Sequence, residues 1–385
     1  MKRLISILIV VAVFSGCDTQ NPLISPEQNE RTALLNEIKM LQAEVAATAA
    51  MMQAEADKHR ALALQRLASR KSAPRPRSIS NIIEVPGDYD SIQDAVDAAA
   101  PGDVIQVSGT FTDLGVINVF TEGITLDGGG GDNDDDDDDG DDDDDGGAKA
   151  AFLQGNRVQI FADDVRFTGF TMNMRIWVIG GDRVEVDHNE VSNTGSGLAV
   201  FGGSENAVVK HNHSHNNSDG LFLTNTRNTL VKKNTFTQNT RFGITLWADV
   251  ASGGPTENNT ILDNNVNNNR RGIWLSESDN NDFSDCKVNG NELNGFTFIS
   301  SHGNTITDGK ANGNTLSGML LFESDHNEIR ESKANGNGDI GFELLTSDNN
   351  TVADSKAKGN KTCDIEDDGT GNVFVNNKVG TMNCN

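Results

Sequence analysis

The chain has 385 residues and a formal net charge of −26, with 57 Asp and Glu against 31 Lys and Arg. That balance excludes a molecule-wide nucleic-acid or anionic-membrane surface, both of which need clustered Lys and Arg. With 39 Gly and only 36% apolar residues, the chain is lean for a thick globular core and suits a thin-cored rod, so internal repeats are sought first.

Residues 1–16 carry Lys2 and Arg3, an apolar run from Leu4 to Phe14 and small residues before Cys17. The run is too short to span a bilayer and reads as an export signal. Phe14-Ser15-Gly16-Cys17 resembles the lipobox of bacterial lipoproteins, which implies diacylation of Cys17, a tether over 17–25 and a membrane partner. The alternative is a free Cys at a plain signal boundary. Residues 26–71 hold no Gly, and Leu34, Ile38, Leu41, Val45 and Met52 recur at helical spacing, which predicts one amphipathic stalk helix of roughly 65 Å. A coiled-coil oligomer through residues 30–55 and a lone spacer are both compatible with that seam. Residues 72–80 are a Pro-containing linker.

From residue 81 the reading changes to strands. IIEVPGDYDSIQDAVDAAAPGDVIQVSGTF, residues 82–111, reads as strand, short helix N-capped by Ser91, and strand. Ile92, Ala95, Val96 and Ala99 would cover the open end of a core. The 12 aspartates within 132–145 lack the alternating spacing of a calcium loop, so 132–147 reads as an acidic disordered insertion with loose attraction for divalent ions. Then a Gly recurs at 197, 220, 243, 272, 295, 318 and 341, all but one interval being 23 residues. Each opens an apolar-x-apolar triplet such as Leu221/Leu223 or Phe296/Phe298. A second element, Asn-x-apolar, is read at Asn206/Val208, Asn228/Leu230, Asn281/Phe283, Asn304/Ile306, Asn327/Ile329 and Asn350/Val352. Alternation inside a 23-residue period means short strands stacked coil on coil.

The first coil and these repeats resemble the right-handed parallel β-helix proteins of the pectin-lyase-like superfamily, especially those with carbohydrate-binding and sugar-hydrolase repeats and the periplasmic nitrous-oxide-reductase accessory protein. The resemblance implies an all-β right-handed parallel β-helix over 81–385 with an N-terminal capping helix. It leaves function open, because the fold hosts lyases, hydrolases, epimerases, adhesins and non-enzymes. Stacking at about 4.8 Å makes ladders of equivalent residues. Asn189, Asn212, Asn234 and Asn264 form one and Asn291, Asn314, Asn337 and Asn360 another, with Cys286 a buried small residue in the first.

The same triplets place Trp177, Ile179, Phe201, Phe222, Trp247, Trp274, Ile299, Leu320 and Phe322 on the outer face of one sheet. An exposed strip holding all three Trp suits stacking on a linear acidic polysaccharide, with Trp177, Phe201, Phe222, Trp247 and Trp274 as binding residues. The alternative is a cover, by the insertion 248–257 or another subunit. Asp219, Arg241, Arg270 and Arg271 lie just before those strands, with residue types that a polysaccharide lyase or C5-epimerase needs for charge neutralisation and proton transfer. An Asp219–Arg241 surface ion pair is the alternative. His188, His211, His213 and His215 are candidate ligands for a transition metal, and Ca²⁺ is the other cofactor considered; ordinary exposed His at polar ladder positions is the alternative. Lys287, Lys310, Lys333 and Lys356 stack beside Asp285, Asp308, Glu331 and Asp354, and the two rows are expected to neutralise each other. Cys363 and Cys384, 21 residues apart, fall in adjacent coils and are expected to form a disulfide. Two function classes follow: a membrane-tethered polysaccharide-binding protein with lyase or epimerase action, and a non-catalytic periplasmic scaffold or metal-handling accessory protein of the cell envelope.

Overall fold

The computed structural model describes residues 26–69, 81–130, 150–248 and 254–384. The signal, the tether with Cys17, the linker and the acidic insertion lie outside them. No helix among the described residues is long and apolar enough to cross a membrane. Helix α1 (Pro26–Ser69) is continuous over 44 residues. Its residues up to Val45 belong to one compact unit, whereas Ala46 onward belongs with everything that follows.

The second unit is a parallel β-helix. One sheet has 13 strands and another 14, each strand pairing with its counterpart in the neighbouring coil. Three early strands, Thr110–Val119, Ala151–Ile160 and Phe170–Ile179, are ten residues long. From Glu190 on, that path divides into two short strands, Glu190–Ser192 and Ser196–Phe201, both paired with Phe170–Ile179. The rod therefore has three faces. The triplet residues align as expected, Leu198 opposite Leu221 and Ile273 opposite Phe296, and all are in the apolar core. At the first coil, α2 (Ile92–Ala98) buries Ile92, Ala95 and Val96, and the Ser91 hydroxyl accepts from the Asp94 amide. Ala99 stands at the helix end in extended backbone and packs only partly on the core.

Each repeat Gly marks a close approach. A Cβ at Gly243 would lie 2.2 Å from Val266 Cγ1, so no larger residue fits that corner. Three buried Asn ladders satisfy the turns. In one, the Asn304 carboxamide oxygen accepts from the Asn281 amide at 2.8 Å, while its NH₂ donates to Ser278 at 3.0 Å and to Asn327 at 3.2 Å. The second expected ladder begins earlier than read, at Asn217 and Asn239, before continuing to Asn291 and Asn360.

One expectation about this frame is corrected. Asn206 and Asn228 are out of register with the other four Asn-x-apolar pairs: both are exposed at positive φ, and Ala207 and Thr229 fill the buried slot one position later. Val208 and Leu230 consequently face outward, and Val209 and Val231 face the core. The lysine and carboxylate rows stand side by side without direct contact: among the described residues, no ion pair within 4.0 Å joins Lys287, Lys310, Lys333 or Lys356 to a carboxylate.

Candidate functional site

The aromatic residues lie on the outer side of their sheet, as expected, since all are buried yet absent from the interior core. The strip is covered, however. Trp177, Trp274 and Trp247 are 1%, 0% and 8% exposed, and Phe201 and Phe222 are equally hidden. Residues of α1 from Ala46 onward supply part of the cover. Ala49, Met52 and Ala56, spaced three and four apart, are buried, and Ala49 and Gln53 line a cavity of about 370 Å³ together with Phe201 and Arg227. Glu55, where the apolar seam breaks, bonds Arg157 at 2.5 Å, and Arg157 lies 4.5 Å over the Trp177 ring. That bond holds the Glu55 carboxyl below its usual range. This part of the predicted stalk is therefore packed on the β-helix.

Asp219 and Arg241 form a buried, two-pronged pair, with nitrogen-to-oxygen distances of 2.8 and 2.5 Å. The carboxylate also accepts from the Ser196 hydroxyl at 3.0 Å, and Arg241 reaches the Thr48 hydroxyl of α1 at 3.1 Å. Arg271 is nearly buried, 5.7 Å over the Phe242 ring, which was not singled out from sequence. Arg270 points away and is exposed. The four residues thus do not converge on an open cleft: two are locked together, one stacks and one faces solvent.

The imidazoles divide into two pairs. His188 and His211 have ring centroids 4.9 Å apart and planes tilted by 58°, both at positive φ in the turn before a ladder Asn. His188 Nδ1 is 3.2 Å from Asp187. Asp187 is held by Arg166 at 2.6 Å; burial pushes its carboxyl up, but the bonds from Arg166 and Thr168 outweigh that and bring it below its usual range. His213 and His215 sit two apart on the strand His213–His215, with buried Ser214 between them, so both project outward. Their rings lie 4.3 Å apart. Glu190, one coil earlier, is directly opposite His213, and its carboxylate is 3.1 Å from His215 Nε2. Asn216 Nδ2 lies 2.8 Å from His215 Nδ1, so the ring is held between an amide on one nitrogen and the Glu190 carboxylate on the other. Burial, then the neighbouring His215, push the His213 pKa down, against the opposing pull of Glu190, which favours the neutral ring that a metal ligand needs.

Among the described residues, Glu190, His213 and His215 alone bring three such ligand atoms within 4.8 Å of one another. Two neutral-capable imidazoles and a carboxylate are a donor set for a first-row transition metal rather than for Ca²⁺, which takes oxygen ligands. Glu190 was missed from sequence, although one signal was present: it precedes His213 by 23 residues, the repeat period.

Two family models match the chain: one described as a right-handed β-helix region, over residues 151–311, and one described as a periplasmic copper-binding protein (NosD), over 255–383. The Glu190–His215 cluster lies inside the first match and outside the second. Among solved structures, the A-module of the mannuronan C-5 epimerase AlgE4 from Azotobacter vinelandii superposes with a TM-score of 0.58 at 13% identity, covering 78% of this chain and 94% of that one. The catalytic unit of a GH87 α-1,3-glucanase from Streptomyces thermodiastaticus gives 0.53 at 14% identity, covering 81% and 71%. At these identities the likeness establishes the fold. No curated protein matches the chain in sequence.

Proposed function

The chain is a right-handed parallel β-helix repeat protein, and from that premise we propose that it is a non-catalytic, envelope-tethered metal-handling protein that holds a copper-class ion at Glu190, His213 and His215. The observation carrying the proposal is the preformed approach of the three ligand atoms on an outward face. Their chemistry fits: imidazole nitrogens bind copper and zinc well, and a carboxylate oxygen beside them completes a mixed nitrogen and oxygen donor set. The match of residues 255–383 to a copper-binding family supports the class of metal, and the lipobox at Cys17 supports the tether. Titrating the full chain with Cu²⁺ should give one tight site with two-imidazole hyperfine structure in its paramagnetic resonance spectrum. His213→Ala and His215→Ala should each remove that signature, and His188→Ala should leave it. Retention of the signature in both first variants would overturn the assignment.

A second reading, an acidic polysaccharide on the aromatic strip, is favoured by one specific observation. Trp177 Nε1, Trp274 Nε1 and the Thr245 hydroxyl are buried there without a hydrogen-bond partner, and such groups cost free energy under a cover that cannot bond them. A sugar hydroxyl could satisfy each one if residues 46–60 of α1 were displaced. Tryptophan fluorescence titrated with acidic and neutral glycans decides this reading. A shift with acidic glycans supports it, and a flat response in the full chain and in a chain lacking residues 26–60 removes it. Asp219 and Arg241, bonded to each other and to Ser196 and Thr48, are read here as structural residues.

A further inference from the structure

The third face of the rod carries a row of outward side chains that changes character along the axis. Asn265 is opposite Lys287, after which Lys287, Lys310, Lys333 and Lys356 follow in unbroken parallel register, and Lys378 stands opposite Lys356 one coil further on. Cys286, Ala311, Ala334 and Ala357, their neighbours in sequence, are buried, so the ammonium groups stand on the outer surface. Strand stacking sets them about 4.8 Å apart. Alongside runs an outer row of amides: the side-chain oxygens of Asn267, Asn289 and Asn312 each accept from the backbone amide of the next coil, at 2.6 to 3.0 Å. Exposed Lys358, 23 residues after Asn335, ends that second row with a further cation.

Like charges directly opposite on a sheet destabilise it. Asp285, Asp308, Glu331 and Asp354 occupy the positive-φ turn two residues before each lysine, yet among the described residues no carboxylate lies within 4.0 Å of the row. A cationic strip thus runs along a chain of net charge −26, and one segment of that chain matches it: residues 132–145, with 12 aspartates. Its own copy cannot lay that segment along the strip. The described chain stops at Gly130, just after the strand Thr125–Asp127, and resumes at Ala150. In the 13-stranded sheet, Thr125–Asp127 is six strands from Asp282–Ser284, in the coil of Lys287, and ten from Val373–Val375, in the coil of Lys378. At about 4.8 Å per coil those separations are about 29 and 48 Å. Held at both ends, residues 131–149 reach at most about 35 Å, half their extended length, which brings them no further than the first one or two lysines.

We propose that the lysine strip docks the aspartate-rich segment 132–145 of a second copy of this chain, laid along the row with its carboxylates against the ammonium groups. The five lysines span about 19 Å, well within the extended length of that segment. An extended aspartate run presents a carboxylate about every 6.8 Å on each face, and the flexible four-carbon lysine stems absorb the difference from the coil spacing. Each copy offers one segment and one strip, so the contact joins two different patches of the same molecule. The strip is separate from the Glu190–His213–His215 cluster and from the tryptophan strip, and the proposal holds whether or not those readings do.

A water-soluble carbodiimide reads this contact directly. It activates an aspartate carboxyl, a lysine amine in contact attacks to form an amide, and the carbodiimide leaves as its urea. An equimolar mixture of ¹⁵N-labelled and unlabelled full chain, in chelator to keep divalent ions off the aspartates, should yield light–heavy peptide pairs that join 132–145 to the 287–378 lysines, fewer at high salt. A labelled peptide of residues 130–147 should bind a chain from which 132–145 are deleted. Lys310→Gln with Lys333→Gln in that chain should weaken the binding about tenfold, each exposed pair contributing at most a few-fold, whereas Lys232→Gln, on the 13-stranded sheet, should leave it unchanged. Three results overturn the proposal: links to the lysine row found only within one isotope, no such links at all, or unchanged peptide binding in the double lysine variant with a wild-type melting temperature.

Discussion

At the scale of single residues, the ladders explain choices that look chemical in the sequence. Cys286 is fully buried, and burial pushes its thiol up to about 12. Its sulfur lies 3.2 Å from the Ile261 carbonyl. Two and three coils later, Ser332 and Ser355 fill the same slot, each donating to the carbonyl two residues back, at 2.7 and 2.8 Å. Cys286→Ser should therefore change unfolding free energy by less than about 1 kcal/mol, whereas Cys286→Ala should cost about 1–3 kcal/mol by stranding buried partners. Urea unfolding of both variants checks this, and equal costs would show that the slot needs only volume. The native thiol should also resist alkylation at pH 8 and react once unfolded. Asp219 and Arg241 follow the same logic with charge. Arg241→Met alone should cost about 3–5 kcal/mol by leaving a buried carboxylate unpaired, and Asp219→Leu with Arg241→Met should recover most of that. A double variant as unstable as the single one would mean that the pair contributes attraction well beyond its desolvation cost.

At the scale of elements, the coil is defined by its turns as much as by its strands. Asn304→Ala should cost about 2–3 kcal/mol, because the Asn281 amide and the Ser278 carbonyl both lose a buried partner. Asn312→Ala, in the half-buried outer row, should cost under about 1 kcal/mol. Chemical unfolding of the two variants compares them directly. The strands and ladders were legible because stacking repeats the same side chain every 23 residues, and inside against outside follows from alternation. Asn206 and Asn228 misled because a left-handed turn also favours Asn, and the turn residue adjoins the ladder slot. The placing of α1 was not legible, since an apolar seam fixes which side of a helix is buried but not its partner. Glu55, a polar residue just past Met52, is the one that bonds Arg157. The Glu190–His213–His215 cluster was half legible: the two outward His follow from i and i+2 spacing, whereas Glu190 emerges only once registers are fixed.

At the scale of the whole molecule, a solenoid is held together by contacts between neighbouring coils, so its ends are its weak points. The first end is covered by α2. At the other end, Val373, Val375 and Met382 are exposed by 48%, 41% and 45%, so less apolar burial holds the last coil than holds any coil in the middle. What ties it down is covalent. Cys363 and Cys384 are bonded, their Cα atoms 5.6 Å apart and 21 residues apart in sequence. A loop of that size is worth about 3 kcal/mol by chain-entropy reasoning, comparable to what a poorly buried coil lacks. Reduction should therefore loosen the end and leave the middle intact. Hydrogen exchange should rise across residues 363–384 and fade within one or two coils, while amides of 221–298 stay protected. Only the final unfolding step should shift to lower denaturant. If reduction instead lowered protection uniformly from Ser196 onward, the coils would be coupled as one cooperative block, and the bond would be stabilising the entire rod rather than its last turn.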